Sequence, residues 1–155
     1  MKILVLFFFP LLLLIGGMAC KTDDGLVSVQ SGTENNDPNI MRNQLKITIG
    51  TRTFRATLGS NAAITAFKAR LPLTISMKEL NGNEKFTDLT NDLPTNATKP
   101  GIIQTGDLML YGSNTLVLFY ESFQTSYNYT KLGRIDNPAA LAAAVGTGSV
   151  TVTFE

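Results

Sequence analysis

The stretch 106–120, GDLMLYGSNTLVLFY, limits the fold more than any other part of the chain. It holds two apolar runs, 108–111 and 116–120, separated by Gly112, Ser113 and Asn114. Two short apolar runs joined by a glycine-containing tight loop are the sequence form of an antiparallel hairpin. Both runs are too continuously apolar to leave one face in water. The hairpin is therefore expected inside the domain, with other strands folded around it.

Much of the surrounding sequence alternates with period two. Leu45, Ile47 and Ile49 alternate with Lys46 and Thr48, Gly50 and Thr51 turn the chain, and Phe54, Ala56 and Leu58 follow in a second strand. Ser60 or Asn61 can cap a short helix through about residue 70, whose Ile64, Phe67 and Leu71 recur at helical spacing, and Pro72 ends it. Leu73, Ile75 and Met77 mark a third strand, Asn81, Gly82 and Asn83 a turn, and 84–89 a fourth strand. The polar run 91–106 reads as a long ordered loop, a kind of segment that often carries function. After the hairpin, 127–135 reads as a strand with Gly133 at a bulge or bend. Asn137 and Pro138 open a short alanine-rich helix with Leu141 and Val145 on one face, Gly146 and Gly148 stop it, and Val150, Val152 and Phe154 form a last strand. Eight strands and two short helices follow from this pattern. Their inward aliphatic and aromatic side chains fit a mainly β fold, a closed eight-stranded antiparallel barrel with no exposed edge, with an open sandwich as the rival.

The N-terminal residues have a different composition. Lys2, the apolar stretch 3–15 and the small residues before Cys20 form a secretory signal, shorter in its apolar part than the roughly 20 residues a spanning helix needs. Ala19 followed by Cys20 resembles a bacterial lipoprotein cleavage site. The division expected is a signal peptide over 1–19, a flexible tether over 20–41 and a folded domain over 42–155, with lipid on Cys20 holding the protein to the membrane of the bacterial cell envelope. Asp23 and Asp24 after Lys21 resemble signals for surface display in some bacterial lipoproteins; a plain soluble linker explains them equally. Outer membrane or cell surface is the address this implies.

Composition removes several function classes. Without Lys2, 12 basic residues balance 12 acidic ones, so no general electrostatic attraction to nucleic acid exists. There is no histidine, and the only cysteine is the lipidated one. A Ser-His-Asp triad, a cysteine nucleophile, a disulfide and an imidazole or thiolate metal site are all ruled out, and no cofactor is implied. Glu79 with Glu84, and Asp88 with Asp92, are carboxylate pairs near in sequence, but they flank turns where charges are usually solvated. Asp107 after Gly106 suits a structural role, its carboxylate accepting backbone N–H bonds at a strand entrance. Lys131 and Arg134, three apart on a strand, should face opposite sides.

The order of elements, with LPLTISM, NGNEKF, the LPTNA loop, GDLMLYG and the closing GSVTVTFE, resembles the small bacterial cyclophilin-like domains over 45–155. The resemblance implies an eight-stranded barrel with a helix at each end. Cyclophilins proper rotate Xaa-Pro bonds, using an arginine beside a hydrophobic proline pocket. The strand corresponding to the arginine's has Thr74 and Ser76 instead, and the pocket tryptophan and histidine are residue types this chain does not contain. Phe119 falls where the pocket phenylalanine would. The resemblance thus implies a barrel without the isomerase machinery, a non-catalytic module binding a peptide or small-molecule ligand, with a divergent prolyl isomerase as the alternative. Candidate groove residues are Tyr111, Phe119, Thr74 and Ser76, between the loop 91–104 and the hairpin. Arg55, Arg70 and Arg134 are the candidate donors whose position beside Phe119 would favour the enzyme. Tyr120, Phe123, Tyr127 and Tyr129 complete an aromatic group suited to a groove, though most such rings simply fill or cover a barrel.

Overall fold

The structure, a computed structural model, describes residues 43–155. The signal, the Cys20 lipidation site and the tether lie outside the described residues. The strands are β1 (Gln44–Ile49), β2 (Arg52–Leu58), β3 (Leu73–Leu80), β4 (Glu84–Asp88), β5 (Ile102–Ile103), β6 (Asp107–Tyr111), β7 (Thr115–Phe119), β8 (Phe123–Gln124), β9 (Thr130–Ile135) and β10 (Val150–Phe154); the helices are α1 (Ala62–Lys68) and α2 (Leu141–Val145). Eight strands close into a barrel in the order β1-β10-β3-β4-β7-β6-β9-β2, every neighbouring pair antiparallel. Of the two architectures the alternation allows, the structure has the closed barrel and not the sandwich.

The inner faces of the strands supply one core. Ile47, Ile49, Leu58, Met77, Leu110, Leu118, Val152 and Phe154 are buried in it. Both helices add to that core, α1 through Ile64 and Phe67 and α2 through Leu141 and Val145. Phe67 meets Phe154 edge to face at 5.7 Å. Asn61 caps α1, its Oδ1 accepting from the Ile64 N–H at 2.9 Å. At α2 the Asn137 side chain accepts from the Ala139 N–H in the turn before the helix, so it shapes the approach while Ala140 holds the cap position.

The β6–β7 hairpin is part of the barrel wall, and not an element enclosed by other strands. Its outer face needs cover of its own, and a two-stranded ribbon of β5 and β8 supplies part of it. Ile103, Met109, Val117, Phe119 and Tyr129 form a second buried cluster, with Phe86 and Phe123 packed against it. The long loop 91–104 is tied down at several points. Arg70 donates to the carbonyls of Asn91 and Asp92, both at 2.9 Å, Leu93 is buried, and Thr98 bridges Tyr129. Tyr129 thus makes an isolated bridge, and the strand proper begins at Thr130.

Gly133 is a point of close approach between β9 and β2. A Cβ there would lie 2.5 Å from the Thr57 carbonyl oxygen and 2.9 Å from the Leu58 side chain. The pairing of β9 with β6 shifts register beside it, from Leu108 opposite Gly133 to Met109 opposite Lys131. That bulge reverses one expectation: Lys131 and Arg134 share a side, and both reach Asp107 Oδ1, at 3.2 and 2.7 Å. Asp107 has the predicted structural role, its Oδ2 accepting from the Gln104 N–H at 2.9 Å.

Candidate functional site

The covering layer leaves part of the barrel's outer wall open. A pocket of about 540 Å³ lies between the outer faces of β4 and β7 and the segment 123–129. Strand alternation selects its lining: Glu84, Phe86 and Asp88 from β4, Thr115 and Val117 from β7, all on the side away from the core. Tyr111 ends β6 at its margin, and Phe123, Tyr127 and Tyr129 close it from the other side. Tyr111 lies 6.1 Å from Tyr127 and 5.6 Å from Tyr129, ring centre to ring centre. Four large hydrophobic side chains are exposed among the described residues, and Leu80, Tyr111 and Tyr127 of these line this pocket. Their concentration around one concavity, in place of scattered exposure, makes it the candidate site.

The charges that line the pocket, Glu84 and Asp88, are both negative. Asp88 Oδ1 accepts from the Thr115 hydroxyl at 2.7 Å. Glu84 is only 9% exposed and has no hydrogen bond or ion pair among the described residues. Burial, followed by the nearby Glu79 charge, pushes its carboxyl above the usual carboxylate range. Burial and then the Glu84 charge also push the Tyr129 phenol up.

Behind the wall, β4 turns Lys85 to the barrel interior, where it is fully buried. Its ammonium pairs with Glu79 and donates to the carbonyls of Gly146 at 2.8 Å and Gly148 at 2.6 Å. Tyr120 donates to Glu79 Oε1 at 2.8 Å, and Lys85 Nζ lies 5.5 Å from the centre of the Tyr120 ring. Burial raises the Glu79 carboxyl, but the bonds from Lys85, Tyr120 and the Gly82 N–H outweigh it and hold the group below its ordinary value. Burial and the Glu79 carboxylate push the Tyr120 phenol up to about 12. Glu79 and Glu84, expected as solvated turn charges, are instead a networked ion and a largely buried side chain with no ion pair among the described residues.

Of the residues singled out from sequence, Tyr111 lines the pocket and Phe119 lies beneath its cover, fully buried and packed 5.6 Å from Phe123 and 5.5 Å from Tyr129. Thr74 and Ser76 are exposed on β3 and do not line the pocket; the Thr74 hydroxyl hydrogen-bonds that of Thr153 on the neighbouring strand β10 at 2.9 Å. The loop 91–104 does not line it either, so the groove runs between the hairpin and the segment 123–129. Arg55 is exposed on β2, Arg70 holds the loop and Arg134 pairs with Asp107; none of the three lines the pocket. Sequence reasoning passed over Glu84 and Phe86 as site residues. The available signal was the run Glu84-Lys85-Phe86-Thr87-Asp88, in which period two places two carboxylates and a ring on one face and a lysine on the other.

Among the described residues no group of three or more metal-ligating side chains comes together, and no helix is long and apolar enough to cross a membrane. Compared with curated proteins and with solved structures, the chain matches none. Residues 47–155 match the model of the Cyclophilin-like family.

Proposed function

This chain belongs to the Cyclophilin-like family, and from that premise we propose that it is a non-catalytic binding module of the bacterial cell envelope, held there by lipid on Cys20. Its ligand is a peptide or small molecule taken up in the groove on the outer wall of β4 and β7. The observation that carries this reading is the pocket itself, large enough for a side chain or small ligand, with five aromatic side chains and no arginine or lysine in its lining. Prolyl isomerisation asks for a cation that draws lone-pair density away from the rotating amide, against a barrier of roughly 18 to 20 kcal/mol. A lining whose only charges are carboxylates suits holding a ligand, not that step.

Two measurements on the full chain test the proposal together. A thermal-shift screen of small molecules and short peptides is expected to yield stabilisers whose effect is lost in Tyr111→Ala. An Xaa-Pro isomerisation assay is expected to show no turnover above the uncatalysed rate. Clear turnover that disappears in Tyr111→Ala would replace this reading with the divergent isomerase.

A further inference from the structure

Resting on the binding role of this groove, we propose that its ligand carries an alkylammonium group, from a free amine or a lysine side chain, seated against Glu84 among the tyrosine rings. Glu84 faces the pocket, nine-tenths of the residue buried, its carboxyl oxygens still reaching solvent there and without a hydrogen bond or ion pair among the described residues. A carboxylate in that position costs free energy unless a cation or donors compensate it. The chain places a lysine next to it in sequence, yet strand alternation sends Lys85 to the opposite side of the wall, where Glu79, Gly146 and Gly148 accept its hydrogen bonds. The exposed Lys78, opposite Phe86 on β3, makes no ion pair with Glu84. No cation among the described residues serves Glu84, which leaves that place to a ligand's charge.

Other groups in the lining ask for the same ligand chemistry. Asn83 lines the pocket, and its Oδ1 is a buried acceptor without a hydrogen-bond donor among the described residues. An ammonium group brings three donors and one positive charge. Tyr111, Tyr127 and Tyr129 stand as neighbouring rings, and ring faces attract cations, more strongly when water is displaced. An anionic ligand would meet two carboxylates and no basic side chain in this lining. A neutral one would leave Glu84 uncompensated.

The chain has four tyrosines and no tryptophan, and three of the four tyrosines line the groove, so tyrosine fluorescence reports on it directly. The full chain is titrated with n-butylammonium chloride and with N-acetyl-lysine methylamide, and in parallel with their uncharged counterparts 1-butanol and N-acetyl-norleucine methylamide. At least one cationic probe is expected to saturate the signal, at least tenfold more tightly than its counterpart, and which one binds more tightly identifies the source as free amine or peptide side chain. Glu84→Gln is expected to weaken that binding at least tenfold without lowering the melting temperature, and Tyr127→Ala to weaken it while Glu84 remains. Equal binding of charged and uncharged probes, or undiminished binding in Glu84→Gln, would overturn the ammonium assignment and leave the binding role standing. Silence from all four probes would also overturn it, while the thermal-shift screen decides the binding role separately.

Discussion

A carboxylate on a largely buried side chain works against folding when nothing pairs with it, and Glu84 has no hydrogen bond or ion pair among the described residues. Its raised pKa fixes the sign of the pH effect. Below the ordinary carboxylate range both folded and unfolded chains hold the proton and Glu84 contributes nothing. As pH rises from there through the raised value, the unfolded chain ionises first and stability falls. Glu84→Gln is therefore expected to raise the stability at pH 7 by on the order of 1 kcal/mol, with no gain in acid, read from thermal unfolding at both pH values. Glu79 has the opposite sign: its contribution is complete above the ordinary carboxylate range and is lost as pH falls through its lowered pKa. Gly133→Ala should destabilise by about 1 to 3 kcal/mol in chemical denaturation, because the added methyl meets backbone of β2 that cannot yield as a side-chain tip would. Gly133 was legible in the sequence, since a glycine inside a strand pattern signals a bulge or close approach. The consequence for Lys131 and Arg134 was not, because a bulge changes the side on which every later residue falls.

Among the elements, the β6–β7 hairpin and the β5–β8 ribbon explain one another. The continuous apolar runs 108–111 and 116–120 required burial on both faces, and that much could be read directly. The source of the outer cover could not, because strands of two residues are too short to show a period. Phe123→Ala removes a ring from this cover and should cost about 1.5 to 3 kcal/mol. Hydrogen exchange is expected to quicken first at Ile103 and in the segment 123–129, with the barrel strands still protected. In β4 periodicity groups Phe86 with Glu84 and Asp88 and opposes them to Lys85, but it does not say which group faces the core; here the ring faces out and the lysine faces in. Lys85→Met strips the donor from Glu79 and two carbonyls at once and is expected to destabilise by about 3 to 5 kcal/mol in denaturant titration, despite matching volume.

For the molecule as a whole, alternation and turn glycines identified the strands, but both barrel and sandwich have an inward face of this kind. Closure depends on long-range pairings, β1 with β10 and β2 with β9, which no local pattern encodes. The resemblance of the loop and hairpin segments to a family supplied what periodicity could not. The barrel's inner face is packed with its own apolar side chains, and the proposed binding site lies on the outer wall, where the cover ends. Crystallographic screening of the protein with a library of small fragments tests that most directly. Fragments are predicted to collect in the pocket lined by Glu84, Phe86, Tyr111, Tyr127 and Tyr129. Fragments gathering on another face, with this pocket left empty, would contradict the account.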